Sequence, residues 1–168
     1  MHRRSLLRTL GTAAVSLSAA TLMLASPAAA QLKVSEAAPD FSLQSAENGK
    51  LGTFALKSAL KKGPVVVYFY PKAFTSGCSI EAKMFADNIS AFKAANASVV
   101  GVSTDDIKTL QDFSTKDCGG KFPVAADTKG TVADSYKVKN AMGMASRVTF
   151  VVTPNGKVAF VQGGSDPK

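Results

Sequence analysis

Two sulfur atoms carry most of the chemistry available to this chain. Cys78 and Cys118 are its cysteines, and its single histidine is His2. His2 falls in a stretch that reads as a removable leader, so the body of the chain holds no histidine. That excludes a Ser-His-Asp triad, a Cys-His nucleophile pair and any histidine-containing zinc site. Two cysteines alone cannot complete a thiolate zinc site, and no metal is expected. No Gly-x-Gly-x-x-Gly or phosphate loop occurs, so no nucleotide cofactor is implied, and no other cofactor is expected. Covalent chemistry here must run on a thiol without a histidine base. On cysteine count alone a structural disulfide is the simpler reading, because exported proteins often carry one.

The elements around Cys78 favour a reactive sulfur. Val65-Val66-Val67-Tyr68-Phe69-Tyr70 is a run of β-formers with no alternation, which describes a strand buried on both faces. Pro71 ends it, and Ala73 to Gly77 form a loop. From Cys78 to about Ala95 the pattern is helical, with Ile80, Met84, Phe85, Ile89 and Phe92 on one stripe. Cys78 therefore sits in the first turn of a helix. The free N–H groups of that turn and the positive end of the helix dipole favour a negative sulfur.

The rest of the chain supplies the scaffold. Asn48-Gly49 is a turn signal, and Thr53 to Leu60 fits either a short helix or a strand. Ala97 to Val102 reads as a second buried strand. Ser103-Thr104-Asp105 caps another helix, with Ile107, Leu110 and Phe113 inward, running toward Cys118 and stopping at Gly119-Gly120. Phe122 to Ala125 is a short strand and Thr131 to Tyr136 a brief helix. Val148 to Thr153 and Val158 to Gln162 flank a Pro154-Asn155-Gly156 hairpin turn. This order predicts an α/β domain with one central sheet and helices on both faces.

The string Pro71-Lys72-Ala73-Phe74-Thr75-Ser76-Gly77-Cys78 resembles the Pro-x-x-x-Thr-x-x-Cys active-site motif of peroxiredoxins. The run Val65 to Phe85, with Glu81 and Ala82 after the cysteine, is similar to the bacterioferritin-comigratory, or Q-type, branch. Ala38-Pro39-Asp40-Phe41 and Ser146-Arg147-Val148-Thr149-Phe150 extend the likeness across the chain beyond the leader. The resemblance implies a thioredoxin-like fold with a central mixed sheet. It implies a thiol peroxidase that reduces hydrogen peroxide and organic hydroperoxides, cycling through a sulfenic acid and an intramolecular disulfide. By the same resemblance Cys78 is the peroxidatic cysteine. Thr75 gives the hydroxyl that bonds thiolate and peroxide, Pro71 shields the pocket, and Arg147 stabilises the negative charge. A thioredoxin-like or other dithiol is the implied reductant, and a monomer is the expected state.

The chain departs from that pattern in places. Many members of the branch carry the second, resolving cysteine where this chain has Lys83. Others place it in the next helix, which makes Cys118 the implied resolving residue. Ser76 stands where the family usually has proline, which implies a slightly looser loop. The chain stops at Asp166-Pro167-Lys168, where relatives usually begin a C-terminal helix, so that helix is expected to be missing. Two other functions compete. A thiol–disulfide oxidoreductase would want Cys-x-x-Cys, whereas Cys78 is followed by Ser79-Ile80-Glu81. A disulfide-held binding module would leave Thr75 and Arg147 without a role.

The first thirty residues are read apart from the domain at 31–168. Arg3, Arg4 and Arg8 precede an apolar run from Leu10 to Ala25, and Ala28-Ala29-Ala30 supplies a small-residue cleavage site. This describes a signal peptide over 1–30, with Arg3-Arg4 similar to a twin-arginine export signal. A periplasmic or secreted protein is expected, with no stable membrane insertion after cleavage. The prefix holds three arginines and no acid, so removing it lowers the formal charge from +8 to +5. The remaining lysines are scattered, with no basic run interleaved with aromatics, and no nucleic-acid partner is expected.

Overall fold

The computed structural model describes residues 31–163. The leader and the last five positions, 164–168, lie outside the described residues. Among the described residues seven strands are formed: β1 (Ser42–Glu47), β2 (Lys50–Ala55), β3 (Val65–Phe69), β4 (Ser98–Ser103), β5 (Val124–Ala126), β6 (Val148–Val152) and β7 (Val158–Gly163). Five helices are interleaved: α1 (Leu56–Leu60), α2 (Ser76–Asp87), α3 (Ile89–Ala94), α4 (Ile107–Lys116) and α5 (Thr131–Ser135). The sheet order is β2-β1-β5-β4-β3-β6-β7. β3 pairs parallel with β4 and antiparallel with β6, so the central sheet is mixed as expected.

β3 shows why its sequence has no alternation. All five of its residues are buried. Val65, Val67 and Phe69 pack with Leu56, Leu60, Val132 and Ala133 of α1 and α5 on one face. Val66, Tyr68 and the following Tyr70 pack with Cys78, Ala82, Leu110 and Phe113 of α2 and α4 on the other. A strand covered on both sides needs apolar residues at every position. The segment Thr53 to Leu60, ambiguous in sequence, contains the end of β2 and the whole of α1. Asn48 and Gly49, at φ 49° and 73°, make the tight turn between β1 and β2.

Three local expectations are corrected. The single helix expected from Cys78 to about Ala95 is broken into α2 and α3 at Asn88. The Asn88 side chain donates to the Met84 carbonyl at 2.8 Å, competing with the backbone ladder as asparagine does. The buried stripe also differs from the predicted one. Ile80 and Met84 are 53% and 40% exposed, whereas Cys78, Glu81 and Ala82 are buried. Phe85, Ala86, Ile89 and Phe92 continue that stripe. The inward face is rotated because it carries a glutamate, which apolar periodicity passes over. The cap of α4 is Asp106, whose carboxylate accepts from the Thr109 N–H at 2.8 Å. Asp105 is thereby free for another contact.

Gly101 on β4 marks a close approach in the core beside the site. A Cβ there would stand 2.7 Å from the Tyr68 ring and hydroxyl. Tyr68 cannot yield, because it stacks on Phe85 at 4.5 Å and on Tyr70 at 5.4 Å. Gly101→Ala is expected to destabilise the fold by roughly 1–3 kcal/mol through overpacking, read as a lower urea midpoint. An unchanged midpoint would show that this core has slack.

Candidate active site

Cys78 is set by the strand before it and the helix it opens. The register pairs Phe69 of β3 with Val102 of β4 and with Val148 of β6. The loop leaving β3 therefore emerges next to Arg147, which immediately precedes β6. Thr75 is the N-cap of α2, and its carbonyl accepts the first helical bond, from the Ser79 N–H at 2.9 Å. The N–H groups of Ser76, Gly77 and Cys78 precede that bond and have no intrahelical acceptor. Cys78 lies among them, only 1% exposed.

Arg147 reaches this turn from the other side of the loop. Its Nη2 donates to Cys78 Sγ at 3.2 Å, and its Nη1 forms an ion pair with Glu81 Oε2. The pair is largely shielded, the side chains being 12% and 11% exposed. Glu81 follows Cys78 by three residues, so both lie on one helix face. Burial pushes the Glu81 carboxyl up, and the Arg147 charge opposes that shift. Burial works against the Arg147 charge too, but its contacts with Cys78 and Glu81 outweigh this and hold the proton more firmly. A fixed cation is thus held against the sulfur in a largely shielded site. Gly77 makes room for it, since a Cβ there would lie 3.1 Å from Arg147 Nη2.

The loop residues are placed as follows. Pro71 directly follows the buried Tyr70 and opens the loop. Thr75 Oγ1 donates to the Lys72 carbonyl at 3.0 Å. Its single proton is thus committed within the loop rather than to the Cys78 sulfur, and its lone pairs remain free to accept. Phe74 adopts φ 62°, a left-handed conformation that costs a bulky residue about 1–3 kcal/mol. Its ring stands edge-on to Phe113 at 5.2 Å, and the residue is 46% exposed. The Ala73 N–H donates to Asp105 Oδ2 at 2.7 Å.

Cys118 follows α4 and is fully buried, in the same apolar cluster as Cys78. Both thiols are free. Burial, aided by the neighbouring Asp117 charge, pushes the Cys118 thiol up to about 12. Ser79 Oγ donates to Asp117 Oδ2 at 3.1 Å, so the residue after Cys78 is tied to the residue before Cys118. This long-range neighbourhood is invisible in the sequence. Glu81, which the sequence offers chiefly as a first-turn helix acid favoured by the dipole, is instead the partner that holds Arg147. Asp105 and Asp117 carried no usable signal, because only the folded chain brings them to the loop and the helix start.

The family model described as the AhpC/TSA family matches residues 34–161. A Helicobacter pylori protein named putative peroxiredoxin bcp is 37% identical over 134 residues, covering 75% of this chain and 84% of that protein. The Escherichia coli peroxiredoxin Bcp is 34% identical over 139 residues, covering 77% and 85%. Among solved structures, peroxidoxin BcpB from Mycobacterium tuberculosis superposes with a TM-score of 0.71 at 34% identity, covering 79% of this chain and 86% of that one. The Mycobacterium tuberculosis AhpC structure gives 0.74 at 27% identity, covering 83% and 92%. With the geometry above, these define the class as thiol-dependent peroxidases on a thioredoxin-like α/β fold. The chain belongs to the AhpC/TSA family, as a peroxiredoxin of the bacterioferritin-comigratory type.

Proposed function

We propose that Cys78 is the sulfur that reduces the peroxide, and that Cys118 closes the cycle. The supporting observation is the guanidinium of Arg147 at 3.2 Å from Cys78 Sγ, at a helix start. The thiolate lone pair attacks one peroxide oxygen, and the O–O bond breaks. Sulfur is oxidised to the sulfenic acid, and the departing oxygen takes up a proton to leave as water or an alcohol. Arg147 and the free N–H groups of the first turn face the negative charge that moves from sulfur to oxygen. Thr75 Oγ1, with its own proton engaged by Lys72, keeps lone pairs with which to accept the peroxide's hydrogen. Pro71 fixes the strand-to-loop corner that keeps this pocket shielded.

In the second half the Cys118 thiol condenses with the sulfenic acid, releasing water and forming the disulfide. A disulfide needs Cα atoms ~5.5 Å apart, and any greater starting separation is closed by unwinding the first turn of α2 toward α4. A thioredoxin-like dithiol then restores both thiols by exchange. Hydrogen peroxide and organic hydroperoxides are the proposed substrates, with the chain acting as a monomer. The leader reading places the reaction in the periplasm or outside the cell.

Cys118→Ser tests the second half. The variant is expected to form the Cys78 sulfenic acid at the wild-type rate, close no disulfide within the chain, and accumulate sulfinic acid under repeated peroxide. A variant that turns over undiminished with a dithiol reductant would remove Cys118 from the mechanism.

A further inference from the structure

We propose that Asp105 is a positioning residue for the peroxide step. Its carboxylate clamps the Pro71–Thr75 loop, through the Ala73 N–H, in the conformation that presents Thr75 Oγ1 to the peroxide. Asp105 lies just past the end of β4, beside the loop that leaves the neighbouring β3. Its Oδ2 accepts from the Ala73 N–H at 2.7 Å and from Ser103 Oγ at 2.9 Å. Its own N–H donates back to Ser103 Oγ at 3.3 Å. The carboxylate is therefore itself held in place. Asp106, not Asp105, caps α4, so the helix does not account for this residue.

The clamp acts where the loop is least content. Ala73 is buried, and the next residue, Phe74, stands at φ 62°. A strained residue keeps such a conformation only when its surroundings over-determine it. Here the surroundings are the Asp105 bond on one side and the Phe113 ring on the other. Thr75 follows directly, and its hydroxyl is bonded to Lys72 of the same loop. A shift at Ala73 therefore carries Thr75 Oγ1 with it, while the turn that holds Cys78 stays tied to Arg147 and, through Ser79, to Asp117. Arg147 comes from the β6 side and does not follow. Peroxide attack needs both sets of groups aligned at once. Alkylation by a small neutral electrophile needs only an accessible thiolate.

That contrast supplies the test. Reduced Asp105→Ala and Asp105→Asn proteins are compared with the natural chain for their second-order rates with hydrogen peroxide and with iodoacetamide, each followed by mass. Asp105→Ala is expected to lose roughly ten- to a hundredfold with peroxide, the scale of a misplaced reacting group. Its Cys78 alkylation is expected not to slow, and Cys118 to stay unalkylated. Asp105→Asn keeps an acceptor for the Ala73 N–H and is expected to stay within about threefold of the natural chain. Equal losses with both reagents would overturn the proposal, since Asp105 would then act on the sulfur's charge. So would a peroxide rate that does not change, an Asn variant as slow as the Ala variant, or Cys118 alkylation rising with the loss, which marks a general loosening. Should Asp105→Ala fail to fold, Ser103→Ala removes the hydroxyl that orients the carboxylate. It is expected to give the same split between reagents at reduced size, and no split would overturn the proposal equally.

Discussion

Cys78→Ser is expected to abolish peroxide reduction, by at least roughly a thousandfold, while leaving the fold in place. A hydroxyl keeps its proton at neutral pH and offers no comparable nucleophile. It is close in size to the thiol, and the Arg147 Nη2 that now donates to sulfur can donate to oxygen instead. The remaining thiol does not substitute. Cys118 is fully buried, and burial pushes it up to about 12, so at neutral pH it is a protonated and inaccessible group. Peroxide consumption with a small dithiol as reductant, beside a thermal melt, measures both halves of this expectation. Retained turnover in a folded Cys78→Ser protein would transfer the chemistry to another residue.

Arg147→Met carries the second-largest effect. The guanidinium forks between Cys78 Sγ and Glu81 Oε2 in a largely shielded site. Losing one preorganised donor to developing charge costs about a hundred- to a thousandfold in rate. Lysine does not rescue it, because a point charge cannot span both partners. Removing one member of a shielded pair also leaves the other without its counter-charge, at a cost on the order of 3 kcal/mol. The pH dependence follows from the sign. Burial already raises Glu81 in the folded protein, and Arg147 is what opposes that rise. In the variant the folded-state value climbs further above the unfolded one. Its contribution to stability is then present while Glu81 is protonated, and it is lost as the pH rises beyond the ordinary carboxylate range. Urea midpoints across acid and neutral pH should therefore show Arg147→Met falling behind the natural chain as pH increases. Adding Glu81→Leu should restore much of the stability and none of the activity, separating the structural use of the pair from its catalytic use.

What was legible in the sequence tracks where the physics is local. β3 and the start of α2 follow from a run of β-formers, a proline and a helix-period pattern, and these alone deliver Cys78 to a helix N-terminus. The Asn48-Gly49 turn and the Gly119-Gly120 stop follow from the conformations those residues adopt. The buried face of α2 was not legible from hydropathy, because a glutamate paired with Arg147 occupies a core position while Ile80 and Met84 face outward. The break at Asn88 depends on one side chain capturing a carbonyl, which periodicity does not register. Arg147, Thr75 and Pro71 became candidates through their resemblance to a motif, since each alone would pass for an ordinary surface, turn or strand-end residue. The structure brings Arg147 to the sulfur, while turning the Thr75 proton toward Lys72. The Asp105 and Asp117 contacts are tertiary, joining residues far apart in the chain.

The central claim is that the Cys78 sulfur attacks the peroxide and that Cys118 resolves its oxidation. The most direct test is a single turnover. The reduced protein is mixed with one equivalent of hydrogen peroxide, quenched with an alkylating agent in denaturant, where both thiols are open to it, and weighed. Loss of both thiols within seconds, with a peptide linked through Cys78 and Cys118, is the predicted result. Two thiols that both stay alkylatable for many minutes would contradict it.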